Sequence, residues 1–82
     1  MSIQPNQSIG IIGMGLMGSA LMRMTGAERG WDVDPRRCAC VTMAHDVFDH
    51  CDIVFLCLPN SNIVRSVLGG AKLRSDQIII DT

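Results

Sequence analysis

Aromatic side chains are scarce in this chain, with one tryptophan, two phenylalanines and no tyrosine among 82 residues. Trp31, Phe48 and Phe55 are too few for a base-stacking surface. Charge of either sign is also thin. The formal net charge is -1, and no long run of like charges occurs. Both features argue against nucleic acid or an anionic membrane as the main partner. Long apolar runs are missing too. The longest, residues 53–58, falls far short of the ~20 residues that a membrane span needs. The opening MSIQPNQS lacks the basic start and apolar stretch of a signal peptide, so a cytoplasmic location is expected.

Metal-ligand spacing is absent as well. Cys38, Cys40, Cys51 and Cys57 contain no Cys-x-x-Cys, and Cys38 and Cys40 would face opposite ways in an extended segment. Reduced thiols without a metal are expected. Cys57 falls in an apolar run and reads as a small core residue. His45 and His50 are five apart, a poor spacing for two ligands on one helix face, and both read as surface residues without a charged orienting partner. The single lysine, Lys72, falls in a loop. No catalytic acid–base set is visible, and no catalytic residue is assigned.

What the chain does have is glycine in one informative arrangement. Residues 8–18 read SIGIIGMGLMG, which places Gly13-x-Gly15-x-x-Gly18 behind a short apolar run and ahead of a helix-like stretch. A dinucleotide-binding turn needs that context of strand, tight turn and helix. Gly13 allows the turn, Gly15 lets the backbone approach a pyrophosphate, and Gly18 lets the helix pack close to the strand. The diphosphate would meet the positive end of the helix dipole and its unpaired N–H groups. The plain alternative is a tight strand-to-helix turn with no ligand.

The chain is long enough for one domain at most, and 48% of its residues are apolar, which suits a buried parallel sheet. A domain of this size buries only about 60% of its unfolded surface. Residues 1–7 are polar and expected to fray. Residues 8–12 read as the first strand. Residues 16–25 read as a helix with Leu16, Met17, Ala20, Leu21 and Met24 in one core-packing stripe, stopped by Gly26. A second strand follows over residues 28–32. Pro35 then opens a helix capped by Asp34. A parallel crossover needs a dozen or more residues, so a full third strand over residues 38–41 does not fit. Residues 35–51 therefore read as one crossover, partly helical over 42–50, with any third strand vestigial. Residues 52–58 form a buried strand ended by Pro59. Asn60 or Ser61 caps a helix running to Leu68, stopped by Gly69 and Gly70. Residues 71–77 are a loop, and residues 78–81 begin another buried strand. The fold class is α/β, a parallel sheet with flanking helices, in which the first strand lies beside residues 52–58.

Asp32 ends the second strand 19 positions after Gly13, where a carboxylate can accept both hydroxyls of an adenosine ribose. It would repel a 2′-phosphate, favouring NAD, with NADP possible. Asp34 is the fallback if the strand runs longer. Arg36 and Arg37 read either as a grip for a 2′-phosphate or as a solvated helix start. Leu58 and Pro59, with Asn60 and Ser61 beyond them, fall at a strand's carboxyl end beside the cofactor's central phosphates. Pro59 also simply ends the strand.

Taken together, IGIIGMGLMG, WDVDP, CDIVFLCLPNS and IIIDT resemble the β-hydroxyacid dehydrogenase family, which is related to 6-phosphogluconate dehydrogenase. The likeness runs in order over residues 8–82. It implies a Rossmann-type NAD(P)-binding domain and interconversion of a 3-hydroxy acid with its semialdehyde. It assigns cofactor contacts to Gly13, Gly15, Leu16, Met17, Gly18, Asp32, Leu58 and Pro59, and no catalytic residue. The family has longer stretches before the acidic residue, between Pro35 and Asp52, and before Ile78. The chain thus reads as one partial cofactor domain over residues 1–82, trimmed inside. The family's helical substrate and dimer domain would lie beyond Thr82, and with it hydroxyacid substrate and homo-oligomer contacts. Alone, the chain is expected to bind the dinucleotide without catalysis. Other readings are a non-enzymatic nucleotide-binding module or subunit completed by another chain, an S-adenosylmethionine-dependent methyltransferase fragment, and a partial chain whose shortened crossover exposes an apolar sheet face and aggregates.

Overall fold

The computed structural model describes residues 7–82, so the expected fraying of the start falls almost wholly outside the described residues. An apolar run without alternation needs cover on both faces, and β1 (Ile9–Ile12) is buried at every position. The chain turns at Gly13 and enters α1 (Leu16–Thr25), which Gly26 closes by donating its N–H to Met22 O at 3.0 Å. β2 (Arg29–Trp31) returns parallel to β1. A single 3-10 turn, Pro35–Arg37, follows, and Asp34 caps it by accepting the Arg36 N–H at 3.1 Å. Then come α2 (Ala44–His50), β3 (Ile53–Leu56), α3 (Ser61–Gly69) and β4 (Ile78–Asp81).

The four strands form one all-parallel sheet in the order β2-β1-β3-β4. Alternation along β1 and β3 sorts the core into two clusters. Ile9, Ile11, Ile53 and Phe55 pack with Met14, Leu21 and Met22 under α1. Ile12, Val54 and Leu56 pack with Val47 and Phe48 of α2 and with Val64 and Val67 of α3. This is the expected α/β arrangement, a Rossmann-type parallel sheet with flanking helices. Where a strand over residues 38–41 was expected to be vestigial, the chain makes a single antiparallel bridge, Gly30 to Ala39, with N–H···O distances of 3.0 and 2.8 Å.

Several expectations need correction. The apolar stripe of α1 does not all face the core, because Leu16, Met17 and Met24 are 95, 59 and 81% exposed. Gly18 sets the inward face, and Leu21 and Met22, three and four residues on, share it. β2 and β3 are shorter than the expected 28–32 and 52–58 because the chain leaves the ladder before the turn residues. Cys57 lies past β3 and is only half-buried, whereas Cys51 is fully buried, which pushes its thiol pKa up. No apolar face is bared over the central strands, because α2 and α3 cover it.

The loop before β4 has a structural task. Arg74 donates to Cys51 O at 2.8 Å and pairs with Asp52 at 3.1 Å. Gln77 donates to Phe48 O at 2.7 Å and to Cys51 O at 2.6 Å. These contacts satisfy carbonyls at the α2 C-terminus that have no partner within the helix. Among the described residues, no helix is long and apolar enough to cross a membrane.

Candidate functional site

The carboxyl ends of β1 and β3 lie side by side, with Ile12 opposite Leu56, and they lead into α1 and α3, which pack against different core clusters. Such a divergence opens a crevice at the sheet's switch point. β1 leaves through Gly13, whose φ of 97° lies in the left-handed region. A Cβ there would collide with Cys57 O, so the turn presses against the exit of β3. Gly18 is equally constrained, because its Cβ would collide with Gly13 O. These two glycines bring the first turn of α1 down onto the strand end. Gly15 differs, since a Cβ there would meet nothing within 4 Å. Its backbone borders open space at the start of α1, and no side chain caps that helix.

Asp32 stands at the end of β2. Its Oδ2 accepts the Met14 N–H at 2.8 Å, and its Oδ1 accepts the Asp34 N–H at 2.8 Å. A carboxylate has about four acceptor positions, so acceptor capacity remains on both oxygens. Cys38 holds the backbone of the same residue, accepting the Asp32 N–H at 3.3 Å and donating to Asp32 O at 3.4 Å. Asp34, the fallback, is engaged elsewhere. Its carboxylate takes Arg36 Nε at 3.1 Å and Nη2 at 2.9 Å. The Arg36 hydrogen bonds hold the Asp34 carboxyl below its ordinary range, and Asp34 in turn raises the Arg36 guanidinium.

Two adjoining cavities occupy the crevice. One, of about 490 Å³, runs from Gly13 and Gly15 past Asp32 to Ile63 and Val67 of α3. The other, of about 300 Å³, lies over Leu16, Met17 and Gly18 toward Thr82. They share Gly15, Cys57, Leu58 and Pro59. All eight residues singled out from the sequence line one or both. A ligand with two lobes joined by a compact linker could lie across them with its linker at Gly15.

Trp31, Cys57 and Thr82 also line these cavities and were not assigned from the sequence. Trp31 and Cys57 had one usable signal, their places directly before Asp32 and Leu58. Thr82 donates its hydroxyl to Leu56 O at 2.9 Å, a contact across strands that sequence spacing cannot show. His45 is not without an acidic neighbour, as had been expected, because its Nε2 lies 3.4 Å from Asp46 Oδ1. With Asp49 these residues form an exposed cluster on α2 that lines neither cavity of the crevice.

No family model, no curated protein and no solved structure matches this chain.

Proposed function

We propose that this chain binds a nicotinamide dinucleotide across the carboxyl ends of β1 and β3. In that reading it is the NAD(P)-binding lobe of an oxidoreductase that interconverts a 3-hydroxy acid and its semialdehyde. The observation that carries the proposal is the meeting of the two cavities at Gly15, with Asp32 lining the larger one.

The residues present suit such a cofactor. Gly15 leaves room for a diphosphate where a side chain would intrude, and the first N–H groups of α1 have no side-chain cap to compete with it. Asp32 keeps acceptor capacity for the ribose hydroxyls, while two backbone N–H groups fix its orientation. Leu58, Pro59 and Ile63 give the larger cavity an apolar wall. The nicotinamide, when bound, supplies the hydride chemistry. The chain's own groups bind and orient it. The resemblance to β-hydroxyacid dehydrogenases supplies the hydroxy-acid part of the proposal, and a cytoplasmic setting belongs to it too, supported by four free thiols.

A second reading is a non-enzymatic nucleotide-binding module, or a subunit completed by another chain. Among the described residues, the one carboxylate that lines them, Asp32, already accepts two backbone N–H groups, an arrangement suited to holding a ligand.

Calorimetric titration of the 82-residue chain tests the proposal. Saturable NAD binding is expected, weakened about tenfold or more in Asp32→Ala by the loss of charge-assisted hydrogen bonds. Displacement of NAD by S-adenosylmethionine, or no NAD binding by the folded chain, would count against it.

A further inference from the structure

Backbone direction alternates along a strand, so neighbouring residues offer their N–H and C=O groups to opposite sides. Trp31 turns toward β1, where its carbonyl accepts the Gly13 N–H at 2.7 Å. Gly30 turns to the other side, where β2 forms the edge of the sheet. Ala39 meets it there, accepting the Gly30 N–H at 3.0 Å and donating its own to Gly30 O at 2.8 Å. Asp32 is the next residue on that outer side. An antiparallel ladder extended by one rung would set Arg37 against it. Arg37 belongs instead to the 3-10 turn, and the Cys38 thiol takes the place of the rung. Its sulfur accepts the Asp32 N–H at 3.3 Å, and its S–H donates to Asp32 O at 3.4 Å.

The thiol completes a frame around Asp32. Cys38 meets both backbone groups, and the Met14 and Asp34 N–H groups meet the two carboxylate oxygens. Cys38 lines neither cavity of the crevice, so a ligand there would feel it only through Asp32. The sulfur is itself held, because the Cys38 N–H donates to Pro35 O at 3.3 Å and the Gly30–Ala39 bridge pins the next residue. One side chain must both donate and accept here. Alanine can do neither, whereas serine can do both.

We infer that Cys38 is a positioning residue for the Asp32 carboxylate, and that the shortened crossover serves the ligand site through this thiol. The inference rests on the dinucleotide reading above, in which Asp32 holds the adenosine ribose. A carboxylate already fixed in its binding geometry loses little freedom when the ribose arrives, so a loosened Asp32 binds more weakly.

The test joins amide hydrogen exchange of the unliganded 15N-labelled chain to NAD calorimetry, on the parent, Cys38→Ala and Cys38→Ser. Cys38→Ala should speed exchange about tenfold at Asp32 and at Met14, whose N–H is bonded to the carboxylate, while Val54 and Leu56 in the buried β3 keep parent rates. Its NAD affinity should fall about fivefold, the worth of one lost hydrogen bond. Cys38→Ser should return both readouts to within about twofold of the parent, since a hydroxyl also donates and accepts. Parent-like NAD affinity in Cys38→Ala would overturn the inference and spare the dinucleotide reading. Faster exchange throughout β1 and β3 would overturn it too, because the thiol would then serve the fold at large. A loss in Cys38→Ser equal to that in Cys38→Ala would overturn the role of the two thiol hydrogen bonds. If the folded parent chain binds no NAD, both readings fall.

Discussion

At the scale of single residues, the three glycines of the turn have separable roles. Gly18 serves packing, since its Cβ would run into Gly13 O, whereas Gly15 borders open space. Gly18→Ala should lower stability by about 1–3 kcal/mol, as overpacking does. Gly15→Ala should cost less than about 1 kcal/mol, the difference between a glycine and an alanine N-cap, yet abolish NAD binding. Urea melts beside NAD titrations of both variants check this, and equal stability losses would contradict it. Asp34 offers a second check. Its hydrogen bonds with Arg36 favour the ionised carboxylate, so its folded pKa lies below the unfolded value. The small stability it lends is therefore present above the ordinary carboxylate range and fades as pH falls through the lowered folded value. NMR titration should find the Asp34 carboxyl depressed in the parent chain and nearer its ordinary value in Arg36→Ala.

At the scale of elements, the helix ends separate what local sequence carries from what it does not. Asn60 caps α3 by accepting the Ile63 N–H at 3.0 Å, and Asp34 caps the Pro35–Arg37 turn. Both were legible, because a cap and its helix are neighbours in sequence. The α2 C-terminus was not, because its carbonyls are met by Gln77 and Arg74, 23 to 29 residues away. Gln77→Ala should destabilise the chain by about 1 kcal/mol, since Phe48 O loses its side-chain donor while Cys51 O keeps Arg74. A denaturant midpoint unchanged from the parent would show that water replaces the amide without penalty. The exposed stripe of α1 has the same origin. Apolar periodicity said that a face existed, but the face that packs was set by Gly18, a residue with no hydrophobic side chain. The shortened crossover, in contrast, was readable, because a chain-length limit on parallel connections requires no knowledge of contacts.

At the scale of the whole molecule, the sheet order β2-β1-β3-β4 brings three separated segments together at the carboxyl ends of the strands. The glycine turn, the end of β2 and the exit of β3 then line a shared crevice. The sequence could name most of these residues because each lies at the end of an apolar run. It could not show that Arg36 would be taken by Asp34 while the Cys38 thiol met the backbone of Asp32. A chain this small should also respond strongly to its ligand, gaining about 2.7 kcal/mol of stability at a hundredfold excess over Kd. The most direct test of the central claim is an amide NMR spectrum of the 15N-labelled chain titrated with NAD. Binding across the crevice predicts saturable shifts at Gly13, Gly15, Leu16 and Met17, together with Asp32, while the amides of β4's start and the Arg74–Gln77 loop stay still. Shifts confined to the α2–α3 surface around His45, or none at the glycine turn, would contradict it.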